Sequence, residues 1–316
     1  RPSGVKRMFP FQPPDARRTS RDIPTVEQPF VQCSFLGSET ISLPWENNLT
    51  KKRYELLRKI EHANPEIEEF VAQDKQKGIQ VRLLRIHYFG QRSSYLKTFL
   101  MEVRTLCRKS HPNLRTVYDV GMADLTHYIT SESIPGTPLR NYLAQKGKVE
   151  IDEALRLFKQ CASVLAELQR DGLVYHFCGL DSLFVTQEGV LKMDFAVPRF
   201  FRPNVHGDSI SLEYQAMRTP QFKEDEFTNP REDVYALGIL FFKLIVGKFP
   251  HEVLDINSSD QLSQLKMGGR LPAISNYVST IPAEWDQFYF NCINTDPSSG
   301  YQKVPDIIEY INLLSR

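Results

Sequence analysis

The 316-residue chain lacks any unbroken apolar run of the roughly 18 residues that a membrane-spanning helix needs. Its longest apolar segment, Val234–Val246, is interrupted by Lys243 and reads as a buried helix. The N-terminus has no apolar core of the kind a secretory signal carries, and the first residue is not Met, as expected of a soluble, cytoplasmic fragment of something larger. Paired cysteines are missing too: Cys33, Cys107, Cys161, Cys178 and Cys292 are scattered and odd in number. They offer no Cys-x-x-Cys spacing and no Cys/His cluster, which argues against a metal site and for reduced, buried thiols. No charge of one sign dominates: the net charge of +1 removes any reason to expect global attraction to nucleic acid or anionic lipid. Finally, no glycine stands between Gly37 and Gly78. Over that stretch the backbone has no glycine-rich turn with which to close on a phosphate.

What is present is an ordinary globular composition, 41% apolar and 24% charged, on a chain long enough for one or two domains. Residues 1–29 hold six prolines with Arg17, Arg18 and Arg21 between them and read as an extended arm. With a short hairpin expected from Phe30–Phe35 and Thr40–Leu43, they form an N-terminal extension over residues 1–49. Strands are expected at Arg53–Ile60, Phe70–Gln73, Ile79–His87, Leu114–Val120 and His127–Glu132, with one amphipathic helix at Tyr95–Lys109. Residues 50–132 are thus a small antiparallel sheet with one principal helix. Beyond Pro135-Gly136-Thr137-Pro138 the pattern turns mostly helical, with helices expected at Ile151–Asp171, Asp233–Gly247, Pro282–Asn294 and Val304–Leu314. Residues 133–316 make the second, helical part of an α+β chain.

Several segments then fall into a recognisable order. FLMEVRTLCRKSHPNL, YITSESIPGTPL, GLVYHFCGLDSLFVTQEGVLKMDFA and PREDVYALGILFFKLIVGKFPHE resemble successive motifs of the bilobal protein kinase fold, close to bacterial and eukaryotic-type serine/threonine kinases. The resemblance covers about residues 50–316. It implies that Glu102 stands at the ion-pair Glu, Ser131 at the gatekeeper, Glu132 at the start of the hinge, Asp194 at the metal-binding Asp, and Asp233 at the buried Asp that organises the catalytic loop.

The same resemblance exposes substitutions. The Lys that holds the α- and β-phosphates is replaced by Leu84, the proton-accepting Asp by Phe177, the phosphate-steadying Lys by Gly179, the metal-binding Asn by Ser182, and the hinge Gly of the metal loop by Ala196. Asp181, beside Ser182, could act as metal ligand only if the loop shifted, and His176 reads as structural. The acidic stretch EHANPEIEEF, where a glycine-rich loop would lie, reads as a surface turn. Arg82 shares a strand face with Leu84. It is expected either to fill the nucleotide pocket, bridging to Glu102 or Asp194, or to run its stem along the sheet to solvent. Thr219-Pro220-Gln221 replaces Ala-Pro-Glu, and the Arg usual near Gly300 is absent, so both ends of one structural salt bridge are missing together.

The resemblance with these losses implies a pseudokinase, not an enzyme, with impaired or absent ATP binding and no cofactor expected. Such a domain would act as a scaffold or allosteric regulator of a protein partner or a fused catalytic domain, without nucleic acid. The other reading is an atypical nucleotide-dependent transferase or a weakly active serine/threonine kinase on the same fold. Ser209, Ser211 and Tyr214 are open to modification by another kinase.

Overall fold

The structure is a computed structural model that describes residues 53–61, 67–87, 93–123, 126–147, 149–175, 179–195, 212–222, 229–296 and 298–314. The expected hairpin and arm before residue 50 lie outside the described residues.

Strands β1 (Tyr54–Ile60), β2 (Ile67–Asp74) and β3 (Ile79–Ile86) form a meander, followed by helix α1 (Ser93–Leu106) and strands β4 (Val117–Ala123) and β5 (Thr126–Glu132). The antiparallel sheet runs in the order β1-β2-β3-β5-β4. Its β2–β3 turn is closed by Asp74, fully buried, whose Oδ1 accepts the N–H groups of Gln76 and Lys77 while its Oδ2 takes the Arg53 guanidinium. Gly78 completes that turn at φ +67°, where a side chain would be strained.

Alternation along the strands gives the sheet two different faces. Phe70, Ala72, Val81 and Leu83 join Tyr54 in a small core on one face. On the other, Leu84 and Ile129 join the main core with Leu100, Val103 and Leu106 of α1. Arg82 and Ser131 lie opposite each other in register, as do Glu69 and Leu84, so Arg82 and Glu69 project from this second face.

The chain then makes the short strand β6 (Gly136–Pro138), α2 (Leu139–Lys146) and α3 (Ile151–Arg170). A 3₁₀ turn at Leu180–Ser182 leads to β7 (Leu183–Thr186) and β8 (Leu191–Met193), and β6, β7 and β8 form a small antiparallel sheet absent from the sequence expectation. Strands of three or four residues are too short for periodicity to reveal them. Helices α4 (Leu212–Ala216), α5 (Arg231–Val246), α6 (Pro250–Val253), α7 (Ser259–Met267), α8 (Ala283–Cys292) and α9 (Val304–Leu314) complete the described fold. The helix α5 is buried on all sides, packs against α3, α8 and α9, and stops at Gly247 in the left-handed conformation. Its Gly238 admits Cys292 and Ile293 so closely that a Cβ there would lie 2.7 Å from Cys292 Cβ.

Backbone pairing joins the two parts at Leu114. Leu114 bridges Met193 in parallel, the Arg115 N–H donates to the Met193 carbonyl at 2.8 Å, and the Met193 N–H donates to that of Asn113 at 2.7 Å. The expected strand at Leu114–Val120 is therefore split: its first residues pair with β8 and β4 begins only at Val117. This places Arg115 beside Asp194.

Candidate functional site

The cleft between the sheet and the helical part is crossed by one ion-pair network. Arg82 Nε and Nη2 donate to Glu69 Oε1 and Oε2 at 2.6 and 2.8 Å, and Nη1 donates to Asp194 Oδ2 at 2.7 Å. The side chains of Arg82, Glu69 and Asp194 are only 13%, 14% and 10% exposed, so the guanidinium lies inside rather than along the sheet to solvent. Burial opposes its charge, but Asp194 and Glu69 outweigh that cost and push its pKa above the usual arginine range. Glu69 and Asp194 thus engage Arg82, and Glu102 lies on α1, partly exposed. The expectation of a surface turn before Phe70 is corrected. Glu68 and Glu69 belong to β2, and the strand's alternation turns Glu69 into the cleft.

Asp194 carries a second guanidinium. Arg115 Nε lies 2.8 Å from Asp194 Oδ1, within charge-pairing distance though not aligned as a hydrogen bond. The Phe195 N–H donates to the same oxygen at 2.8 Å. Arg115 Nη1 donates to the Glu132 carbonyl at 2.6 Å. Burial lowers the Arg115 pKa, and Asp194 offsets part of that fall. The Glu132 carboxylate is held by Lys192 Nζ at 2.9 Å and by the Thr116 N–H at 3.1 Å. Leu84 is fully buried in the main core, and the Ser131 hydroxyl is buried without a hydrogen-bond partner.

The loop after α3 hangs from Asp233. Asp233, fully buried at the start of α5, accepts the Tyr175 N–H at 3.0 Å and Gln169 Nε2 at 3.2 Å on Oδ2. The Tyr175 hydroxyl donates to the Asp194 carbonyl. Ser182 is buried; its hydroxyl donates to the Gly179 carbonyl at 2.7 Å, and its own carbonyl accepts the Asp194 N–H at 2.8 Å. His176, Phe177, Ala196, Ser209 and Ser211 lie outside the described residues. Tyr214 is on α4, with the Arg218 guanidinium 4.3 Å from its ring centroid.

Other attachments were not foreseen. Thr219 donates through its N–H and hydroxyl to Glu232, which is buried beside Asp233. Arg231 donates to the carbonyls of Asn294, Asp296 and Ser299, and Gln221 Nε2 donates to that of Thr295 at 2.7 Å. Backbone carbonyls therefore take up the segment for which the sequence supplied no salt bridge. One signal for Arg115 was available: a charged residue within the otherwise strand-like NLRTVY. Glu69 showed none, because its role depends on a register that no local pattern encodes.

A two-lobed domain with an acidic residue on the loop between the lobes and a buried Asp supporting the loop after α3 is the arrangement of the protein kinase fold. The family model for protein tyrosine and serine/threonine kinases matches residues 61–302, and the chain belongs to that family. Among curated relatives, the serine/threonine-protein kinase PrkC of Bacillus subtilis is 24% identical over 263 residues, 81% of this chain and 39% of its own length. The serine/threonine-protein kinase PknL of Mycobacterium tuberculosis is 23% identical over 225 residues, 71% of this chain and 55% of its own. The serine/threonine-protein kinase PksC of Streptomyces coelicolor is 28% identical over 197 residues, 58% of this chain and 35% of its own. The chain thus spans between about a third and about half of these relatives. The expectation that it is not an enzyme is corrected: the relatives it matches are named as kinases, and nothing in those matches separates it from enzymes.

Members of this family ordinarily use ATP with Mg²⁺. The residues present do not fit a divalent ion as arranged. Both Asp194 oxygens face guanidinium groups, the Ser182 hydroxyl is turned to a backbone carbonyl, and among the described residues no three His, Cys, Asp or Glu side chains converge.

Proposed function

We propose that this chain is a serine/threonine kinase-type domain of low turnover, a nucleotide-dependent transferase whose cleft rests in a latched state. Family membership supplies the reaction class. The observation that carries the latch is the Arg82 bridge, which reaches Asp194 across the cleft by one hydrogen bond and Glu69 of the neighbouring strand by two. Leu84 brings no charge to a phosphate, so basal transfer is slow, and substitutions at positions 177, 179 and 182 act in the same direction.

The test is label transfer from γ-labelled ATP to a basic protein substrate, with Mg²⁺ or Mn²⁺, for wild type and Arg82→Met at low temperature. Slow wild-type transfer that rises in the variant is expected. Absence of transfer from both proteins with either ion would overturn the reading.

The bridge also favours a second output. A lobe-to-lobe ion pair fixes the domain in one shape, and a fixed shape can regulate a partner or a fused enzyme by contact. The greater length of the relatives leaves room for such a neighbour. A nucleotide thermal-shift titration separates the two outputs: saturation at 100 times Kd stabilises by about 2.7 kcal/mol, and a flat response points to contact alone.

A further inference from the structure

The positive charge that this chain lacks at position 84 reappears two residues away on the same strand face, at Arg82. A second guanidinium, that of Arg115, comes from the segment that pairs with β8. Between them the two take both oxygens of Asp194: Arg82 Nη1 is 2.7 Å from Oδ2, and Arg115 Nε is 2.8 Å from Oδ1. The Phe195 N–H donates to Oδ1 as well, at 2.8 Å. Each arginine is itself anchored, Arg82 on both oxygens of Glu69 and Arg115 on the Glu132 carbonyl.

We propose that Arg82 and Arg115 stand in for the divalent cation of this cleft. They are the resident counter-charge of Asp194, and an ion enters only when one of them leaves. Two guanidinium groups carry the formal charge of one divalent ion. Neither gives up its proton in a protein, so this counter-charge is permanent where a diffusible ion is not. With Glu69 and Asp194 the two arginines make a group of four charges that sums to zero, which leaves no net charge to draw an ion in. The inference rests on the latch described above and not on phosphoryl transfer.

Mg²⁺ demands a near-octahedral shell of oxygens at about 2.0–2.1 Å. An ion on Asp194 Oδ2 would share that oxygen with the Arg82 nitrogen, in a site only 10% exposed where water screens the repulsion little. Neighbouring carboxylates are engaged with cations of their own. Glu132 holds Lys192, and Asp181, 64% exposed, is turned with both oxygens onto Arg140. Glu213 Oε1 accepts the Leu180 N–H at 3.2 Å and is 3.1 Å from where a Cβ on Gly179 would stand, while its Oε2 is 2.7 Å from Arg140 Nη1. The arginines therefore satisfy Asp194 within the chain itself, and no further ligand set is needed to hold its charge.

Ion uptake is read at Asp194 itself. Isotope-labelled phenylalanine gives an NMR signal for the Phe195 amide, whose N–H rests on Asp194 Oδ1. Mn²⁺, which broadens signals close to it, is titrated into wild type, Arg82→Met and Arg115→Met, with melting temperatures alongside. Wild type is expected to keep the Phe195 signal. Arg82→Met, which frees Oδ2, is expected to lose that signal selectively and to gain about 3–6 °C over wild type at about ten times the Kd for Mn²⁺. Arg115→Met, which frees Oδ1, is expected to lose the signal too, and it carries the test where Arg82→Met fails to fold. Selective broadening of Phe195 in wild type, or none in either variant, would overturn the proposal whatever the outcome of label transfer. Absence of label transfer would overturn the transferase reading and leave the guanidinium pair standing.

Discussion

Replacing Arg82 with Met keeps the volume of the side chain and removes its charge, so it isolates the ion-pair network. Arg82 makes three charge-assisted hydrogen bonds of 2.6 to 2.8 Å to Glu69 and Asp194. Removing one partner of a buried pair costs about 3–5 kcal/mol, because the other charge stays desolvated. Asp194 keeps Arg115 and the Phe195 N–H, so the loss falls mainly on Glu69, which forfeits a bidentate contact. The lower end, about 3 kcal/mol, is therefore expected. For a domain of this size each kcal/mol moves the melting temperature by about 2–4 °C, giving a fall of about 6–12 °C by calorimetry. Adding Glu69→Gln should recover part of it, and the double-mutant cycle should return a coupling of about 1.5–3 kcal/mol. A fall below about 2 °C with no coupling would refute the reasoning and put the guanidinium in solvent.

Three further expectations follow from single sites. Lys266 is buried at the end of α7, its Nζ donating to the Gln215 carbonyl at 2.6 Å, and burial lowers its pKa to about 8. Between that value and the unfolded value near 10.4 the unfolded chain binds the extra proton, so stability should rise with pH across this window, by about 3 kcal/mol in full. Lys266→Met should remove that slope, seen as converging melting temperatures of variant and wild type from pH 7.5 to 9.5. Gly238→Ala forces a methyl to within 2.7 Å of Cys292 Cβ and 2.8 Å of Ile293 Cγ2, and should cost about 1–3 kcal/mol in urea unfolding. Asp233→Ala removes the side-chain acceptor of the buried Tyr175 N–H and one of the two acceptors of Gln169 Nε2, and should cost about 1–3 kcal/mol and raise proteolysis of the loop after Tyr175.

The large elements were legible in the sequence because each carries its own period. The apolar face of α3, the all-apolar α5 and the alternation of β3 are local properties, and they agree with the expected helices and strands to within a few residues. The motif segments set the order of the two parts for the same reason. The three-stranded sheet at β6, β7 and β8 was not legible, since its strands are short and its pairing joins segments about fifty residues apart. The network was legible only in part. Arg82 was visible as a charge on a strand that should face the cleft, but its partners were not.

The sequence by itself determined the family and the two-part α+β order, and it is also where the residue at each motif position is read. Side-chain identity at a motif position is a local fact, and no folding is needed to read Leu84, Phe177 or Gly179. Only the tertiary structure decided what stands in the resulting space. β2–β3 register turned Glu69 onto Arg82, the Leu114–Met193 bridge brought Arg115 to Asp194, and the placement of α4 put Glu213 against Gly179. Each depends on residues from 13 to more than 100 positions apart meeting at hydrogen-bond distance, and chain closure over such separations leaves no local signature. Gly179, read from the sequence as a lost lysine, is in the folded chain the gap that admits a carboxylate.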